Sequence, residues 1–200
     1  IIAPMWYIIK IIISWELTVS EVGILYWIIS LITIISAYND FWMSESINHF
    51  IPAFVNEKRY DKVKTILTYA LIAQVSTWLI IAWFFYYWAN FISINYFKSI
   101  EAIWVLKIFS IFFLWINIFQ ILSMFFTSIQ DTFSKKIIDF FRMIFSLLAI
   151  LSIFFLDLSS LVNYSYAWIV WLYIWILFAI MIFYKKYYYK YLRSEKILWN

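Results

Sequence analysis

Cysteine, glycine, histidine and charge are all scarce in this chain. Its 200 residues include no cysteine, one glycine, Gly23, and one histidine, His49. Without cysteine the chain forms neither a disulfide framework nor a cysteine metal site, and one histidine excludes a histidine cluster. Only 13% of the residues are charged, against about 25% in an ordinary soluble domain. The sequence also shows no glycine-rich phosphate loop and no metal-ligand spacing, so we expect no enzyme, no nucleotide-driven motor and no cofactor in this segment.

Apolar residues dominate instead, at 66% of the chain. Polar breaks divide them into six runs, which are residues 1–15, 22–38, 65–88, 102–128, 137–156 and 161–184. A membrane-spanning helix needs about 20 apolar residues, so the first run predicts a helix whose start is missing. The expected fold is an all-α, polytopic transmembrane bundle of about six spans over residues 1–184. Residues 185–200 are expected to form a basic cytoplasmic segment.

Lysine and arginine alternate along the breaks. The breaks after the second, fourth and sixth runs are basic, whereas those after the first and fifth carry no basic residue and the one after the third has only Lys98. Basic loops remain on the cytoplasmic side of the inner membrane, which places both ends of this segment in the cytoplasm. The net charge of +4 is then a consequence of topology, and no nucleic-acid partner is expected. Within the long second break, residues 48–54 either continue the second helix or lie along the interface, and residues 57–64 are expected to form a solvated turn.

The 13 tryptophans beside a single glycine have two interpretations. Either an AT-rich genome encodes an aromatic-rich membrane protein, or many of these tryptophans are glycines. Some bacterial lineages read UGA as glycine, and translation with the UGA-tryptophan code would write Trp there. Trp42 in a turn-like stretch, and Trp168, Trp171 and Trp175 on one helix face, occupy places where small residues are common. The masses of native peptides containing residues 42 and 168 distinguish the two interpretations.

Polar side chains inside the apolar runs are the candidate substrate contacts, because such groups are costly in hydrocarbon and tend to face a bundle interior. The candidates are Arg142, Asn117, Lys107, Lys10 and Gln120. Each also has a structural explanation. The two lysines are able to snorkel to an interface, Arg142 to pair with Asp139 three residues earlier, and the two amides to bond neighbouring helices. Arg142 and Asn117 are favoured, since neither lies at the extreme end of its helix.

Four segments carry a resemblance to a known family. The stretch LTVSEVGILY at residues 17–26 resembles the segment between the first two helices of polysaccharide-biosynthesis flippases. Residues 39–46, NDFWMSES, are similar to that family's stretch after the second helix, except that Trp42 replaces its glycine. IPAF at residues 51–54 resembles the first cytoplasmic loop, and residues 130–136 match the turn before the fifth helix loosely. The family belongs to the multidrug/oligosaccharidyl-lipid/polysaccharide exporter superfamily.

The resemblance implies an architecture and a function. The chain would be the amino-terminal bundle of a two-bundle flippase, with residues 185–200 a linker to a missing carboxy-terminal half. Such a protein moves a lipid-linked oligosaccharide or polysaccharide precursor across the cytoplasmic membrane by alternating access, with membrane lipids and the glycan as partners. The family's cavity is typically basic, which suits a pyrophosphate. Two alternatives remain, a multidrug/cation antiporter of the same superfamily and a non-transporting membrane scaffold subunit.

Overall fold

The computed structural model describes residues 2–39 and 43–198, and that part of the chain is helical with no strand. It contains seven α-helices and two π-helical segments, π1 and π2. In chain order these are α1 (Ile2–Glu16), α2 (Val19–Asn39), α3 (Met43–Asn56), α4 (Tyr60–Ile92), π1 (Ser93–Phe97), α5 (Glu101–Ser128), α6 (Thr132–Phe155), α7 (Leu161–Phe183) and π2 (Tyr184–Leu192).

The predicted all-α transmembrane bundle is confirmed. Each apolar run lies in a helix, and within the described residues five helices are long and apolar enough to cross a membrane. These five are Val19–Asn39, Tyr60–Phe97, Glu101–Ser128, Thr132–Phe155 and Leu161–Leu192. A helix that is apolar on every face has no side suited to water. In lipid such a helix is stable, because its backbone hydrogen bonds are all made within the helix. The chain is therefore a multi-pass membrane protein.

Two polar segments are more helical than the sequence indicates. The second break contains α3, and the turn that follows it is only residues 57–59, since α4 begins at Tyr60. Lys58 closes that turn with a φ of 57°. The expectation of a solvated turn over residues 57–64 is wrong for its second half. At the other end, π2 extends the last span to Leu192. The basic residues from Lys185 onward mark the end of the apolar run in the sequence. Leu192 is nevertheless buried against the bundle and holds this segment in place.

The apolar core is divided into two clusters along the bundle axis. The first core includes Ile28 and Ile32 of α2 and Ile150 of α6, and the second core includes Ile51 of α3 and Ile138 of α6. Helix α5 contributes to both, through residues 102–112 to the first and 119–126 to the second. The buried amide side chains of the spans lie between the two sets in sequence, at Asn39, Gln74 and Asn117. A polar layer therefore separates the two cores.

Basic side chains collect at one end of the bundle. Lys186 of π2 bonds Asp131 of the α5–α6 turn at 2.7 Å, and Lys64 at the start of α4 donates to the Glu195 carbonyl at 2.6 Å. These contacts bring the turns at residues 57–59 and 129–131 together with the carboxy-terminal segment, and we call this region the basic end. The α1–α2 and α6–α7 turns meet at the opposite end, where Ser159 donates to Glu16.

Candidate functional site

Four neutral polar side chains meet between α2 and α5, and we call them the amide cluster. They are Ser36 and Asn39 of α2, and Asn117 and Gln120 of α5. Asn39 Nδ2 donates to Asn117 Oδ1 at 3.2 Å. Ser36 Oγ lies 3.5 Å from Asn117 Oδ1 and 3.4 Å from Gln120 Oε1. Ser36, Asn39 and Asn117 are each at most 3% exposed, so this is a polar site inside the bundle.

Helical spacing explains how the cluster forms. Residues three apart lie on the same face of an α-helix, so Ser36 and Asn39 share one face of α2, and Asn117 and Gln120 share one face of α5. Sequence reasoning found the α5 pair and missed the α2 pair. In the sequence Asn39 follows the second apolar run, at the start of a polar break, and a lone serine in a hydrophobic run carries little signal. The matching spacing of three in both helices is the signal that would have found them.

A second polar site surrounds Lys10, and we call it the Lys10 site. The Lys10 ammonium lies 5.6 Å from the ring centroid of Trp6 and 5.9 Å from that of Tyr26. Trp6 in turn meets Trp168 edge-on at 5.4 Å. Within residues 2–39 and 43–198, the buried Tyr26 hydroxyl and the buried Trp168 indole N–H have no hydrogen-bond partner. The site thus combines one cation with two unsatisfied donor groups, although the hydroxyl is also able to accept.

The three helices hold this site at one depth. Lys10 is six residues before the end of α1, and Tyr26 and Trp168 are each seven residues after the start of α2 and α7. At 1.5 Å per residue each lies about 10 Å from its helix end. These helix ends lie at the α1–α2 and α6–α7 turns, which the hydrogen bond from Ser159 to Glu16 joins. The three side chains therefore lie at a similar depth in the bundle. A glycine at residue 168 would remove the indole donor and leave Lys10 and Tyr26.

Arg142 lies apart from both sites. Its guanidinium is 3.7 Å from the Asp139 carboxylate and 5.4 Å from the ring centroid of Trp175. The Arg142 side chain is 42% exposed, while its buried Nε has no hydrogen-bond partner in the described part of the chain. Trp175 itself is fully buried, and its indole N–H donates to the Ile138 carbonyl at 2.8 Å. The ion pair that the sequence offered as the structural explanation is therefore present, as a single long contact.

Lys107 has a different environment from Lys10. Its ammonium lies over Tyr86 at 5.2 Å and over Trp104 at 5.4 Å, and both rings are more than half exposed. An amphipathic lysine that crosses exposed aromatic rings is typical of a side chain reaching for the membrane interface. Of the five predicted residues, Asn117 and Gln120 are brought together, whereas Lys10, Lys107 and Arg142 are separate.

The basic end contains an apolar cavity of about 360 Å³ between α4, α5 and α7. Leu67, Ile121 and Ile180 contribute to its lining, with Lys64 and Tyr188 at the π2 side. Beside it, Asp131 caps the start of α6 through Ser134 and accepts from Lys186 and Tyr187 at 2.7 and 2.6 Å. Burial alone would raise the pKa of Asp131, but these hydrogen bonds outweigh it and lower the pKa to about 2.

Within the described residues, no three histidine or carboxylate side chains lie close enough together to hold a metal ion. Comparisons with protein-family models, with curated proteins and with the solved structures find no significant match. The functional assignment therefore rests on the residues of this chain.

Proposed function

We propose that this chain is one bundle of a transporter that moves a lipid-linked oligosaccharide or polysaccharide precursor across the cytoplasmic membrane. The observation that carries the proposal is the Lys10 site. A cation within an apolar helix, beside two buried donor groups without acceptors, suits a ligand that is anionic and rich in oxygen. A lipid pyrophosphate joined to a glycan has both properties, and the flippase-like segment at residues 17–26 includes Tyr26.

Electrostatics favours a fixed cation for this task. A pyrophosphate that leaves water for a low-dielectric region loses several kcal/mol or more unless opposite charge meets it. Lys10 is exposed and lacks a carboxylate partner among the described residues, so its charge is not neutralised by the protein. The aromatic rings of Trp6 and Tyr26 provide apolar surface against which sugar rings stack. Transport by alternating access requires a second bundle, and in this proposal residues 185–200 link the present bundle to it.

The test is glycan export by the complete protein with Lys10→Gln. We expect export to fall by about tenfold or more, because a charge-assisted contact to phosphate contributes about 1.5–3 kcal/mol. Lys10→Arg should retain most of the activity, since it keeps the charge. Lys107→Gln is the matched control, with the same substitution at a lysine that lies over exposed rings, and should export normally. Equal export by Lys10→Gln and the wild type, at equal abundance in the membrane, would refute the proposed site.

A further inference from the structure

We infer that the amide cluster is a binding site for a sodium ion. The inference starts from two amide oxygens that share one hydroxyl donor and a third amide oxygen that has no donor in the described part of the chain. The single Ser36 proton faces both Asn117 Oδ1 and Gln120 Oε1, and one hydroxyl hydrogen does not bond both well. Asn39 Oδ1 is buried and has no partner among the described residues. A buried oxygen without a donor is unfavourable, and a bound cation would relieve that cost.

The size of the site limits what binds there. Ser36, Asn39 and Asn117 are almost fully buried, so the site is closed to a sugar and suits a single ion. The Ser36 oxygen is 3.4–3.5 Å from the two amide oxygens of α5. Octahedral bonds of about 2.4 Å, within the range of calcium–oxygen bonds and close to those of sodium, separate neighbouring ligand oxygens by about 3.4 Å. Magnesium would need shorter separations, and potassium wider ones.

Charge then selects sodium over calcium. All four side chains of the cluster are neutral, and a divalent ion in an apolar interior needs carboxylates to offset its charge. Neutral carbonyl oxygens hold Na⁺ in many secondary transporters, so the neutral side-chain oxygens of the cluster are suitable ligands. Proton binding is not an alternative here, because amides and hydroxyls do not titrate in the physiological range.

The fourth ligand requires one small movement. Asn39 directs its Nδ2 at Asn117 Oδ1, 3.2 Å away, and rotation of this amide would place Oδ1 there instead. The four oxygens would then follow one another at 3.2–3.5 Å, from Asn39 through Asn117 and Ser36 to Gln120, and a bound ion would bridge them. For its role in coupling, this inference rests on the proposed transport function, but ion binding is measurable without transport. None of the four side chains is a tryptophan, so the set of ligands is the same whether the tryptophans of this chain are real or are glycines.

Thermal unfolding of the purified protein in detergent tests the inference. Sodium chloride is compared with potassium chloride and choline chloride at equal ionic strength. We expect a saturable rise in Tm with Na⁺ alone, of about 5 °C when its concentration is about a hundred times Kd. Ser36→Ala and Asn39→Ala should abolish the rise. Ser30→Ala, the same substitution at an exposed serine of α2, should keep it.

Titration calorimetry of Na⁺ into the wild-type protein guards against variants that fail to fold. Absence of a saturable heat, an equal Tm response to K⁺, or an unchanged Na⁺ response in Ser36→Ala would each overturn the inference. A bound water molecule would give no cation-specific shift. Sodium binding without glycan export would leave this inference intact and count against the proposed function.

Discussion

At the scale of single residues, Arg142 is held between a carboxylate and an aromatic ring. Asp139 neutralises part of its charge, but the contact is single and 3.7 Å long, and the side chain is 42% exposed. An exposed pair of this kind contributes below about 1 kcal/mol to stability. Arg142 thus retains capacity for a second partner, and its planar guanidinium is suited to bidentate contact with phosphate.

A double substitution separates the two roles of Arg142. We expect Arg142→Gln to reduce glycan export about tenfold, as loss of a charge-assisted bond to phosphate would. Asp139→Asn with Arg142→Gln removes the unpaired carboxylate and should restore any lost abundance, while export remains reduced. The measurements are export and membrane abundance in both backgrounds. Recovery of export in the double variant would show that the ion pair is structural only.

At the scale of elements, the start of α6 depends on a carboxylate. Asp131 accepts from Ser134 in the first turn, and from Lys186 and Tyr187 of π2. One side chain therefore caps a helix and joins the last helical segment to the bundle. Two sequence-distant elements, α6 and π2, consequently lose a shared contact when Asp131 is protonated.

The pH dependence of stability follows from the lowered pKa of Asp131. Its pKa is about 2 in the folded protein and near 3.8 in the unfolded chain. The stabilisation is complete above about pH 4 and is lost as pH falls toward 2. We expect the Tm in detergent to drop more steeply over this window in the wild type than in Asp131→Asn, which starts lower. Asp157→Asn, at an exposed turn, serves as the control, and an identical pH profile for Asp131→Asn would contradict the prediction.

The helices themselves could largely be predicted from the sequence, because lipid-compatible runs of about 20 residues have few alternatives to a helix. What could not be predicted is how helices pair. Asn117 and Gln120 are visible as polar residues in a run, but their partners Ser36 and Asn39 depend on α2 lying against α5. For residues 48–54 the sequence left open a continuation of the second helix or an interfacial segment, and the structure places them in α3, which begins at Met43. Ile47 and Ile51 pack into the second core.

At the scale of the whole molecule, the distribution of charge predicts orientation. Only Lys10, Lys98, Lys107 and Arg142 of the 15 basic residues fall outside the stretches at residues 58–64, 135–136 and 185–196. The contacts of Asp131 and Lys64 bring these stretches to one end of the bundle. Basic residues are retained on the cytoplasmic side during insertion, so we propose that the basic end is cytoplasmic.

Single-cysteine variants test this orientation directly, because the chain has no native cysteine. Arg59→Cys and Lys135→Cys should react with a membrane-impermeant maleimide only after the cells are opened. Ser159→Cys, at the opposite end, should react in intact cells. Labelling of Arg59→Cys from outside would show that the bundle is inverted or that the number of spans between residues 59 and 135 is odd.

The depth of the amide cluster has an electrical consequence. Asn117 lies 16 residues from the start of α5 and 11 from its end, or about 24 and 16 Å along a helix. An ion held there has crossed only part of the membrane field. One charge moved through the full field gains about 2.3 kcal/mol per 100 mV, so reaching the cluster would involve about half of that. Occupancy by Na⁺ would then respond to membrane voltage as well as to concentration, and a resting potential that is negative inside would draw the ion to the cluster from the outer face.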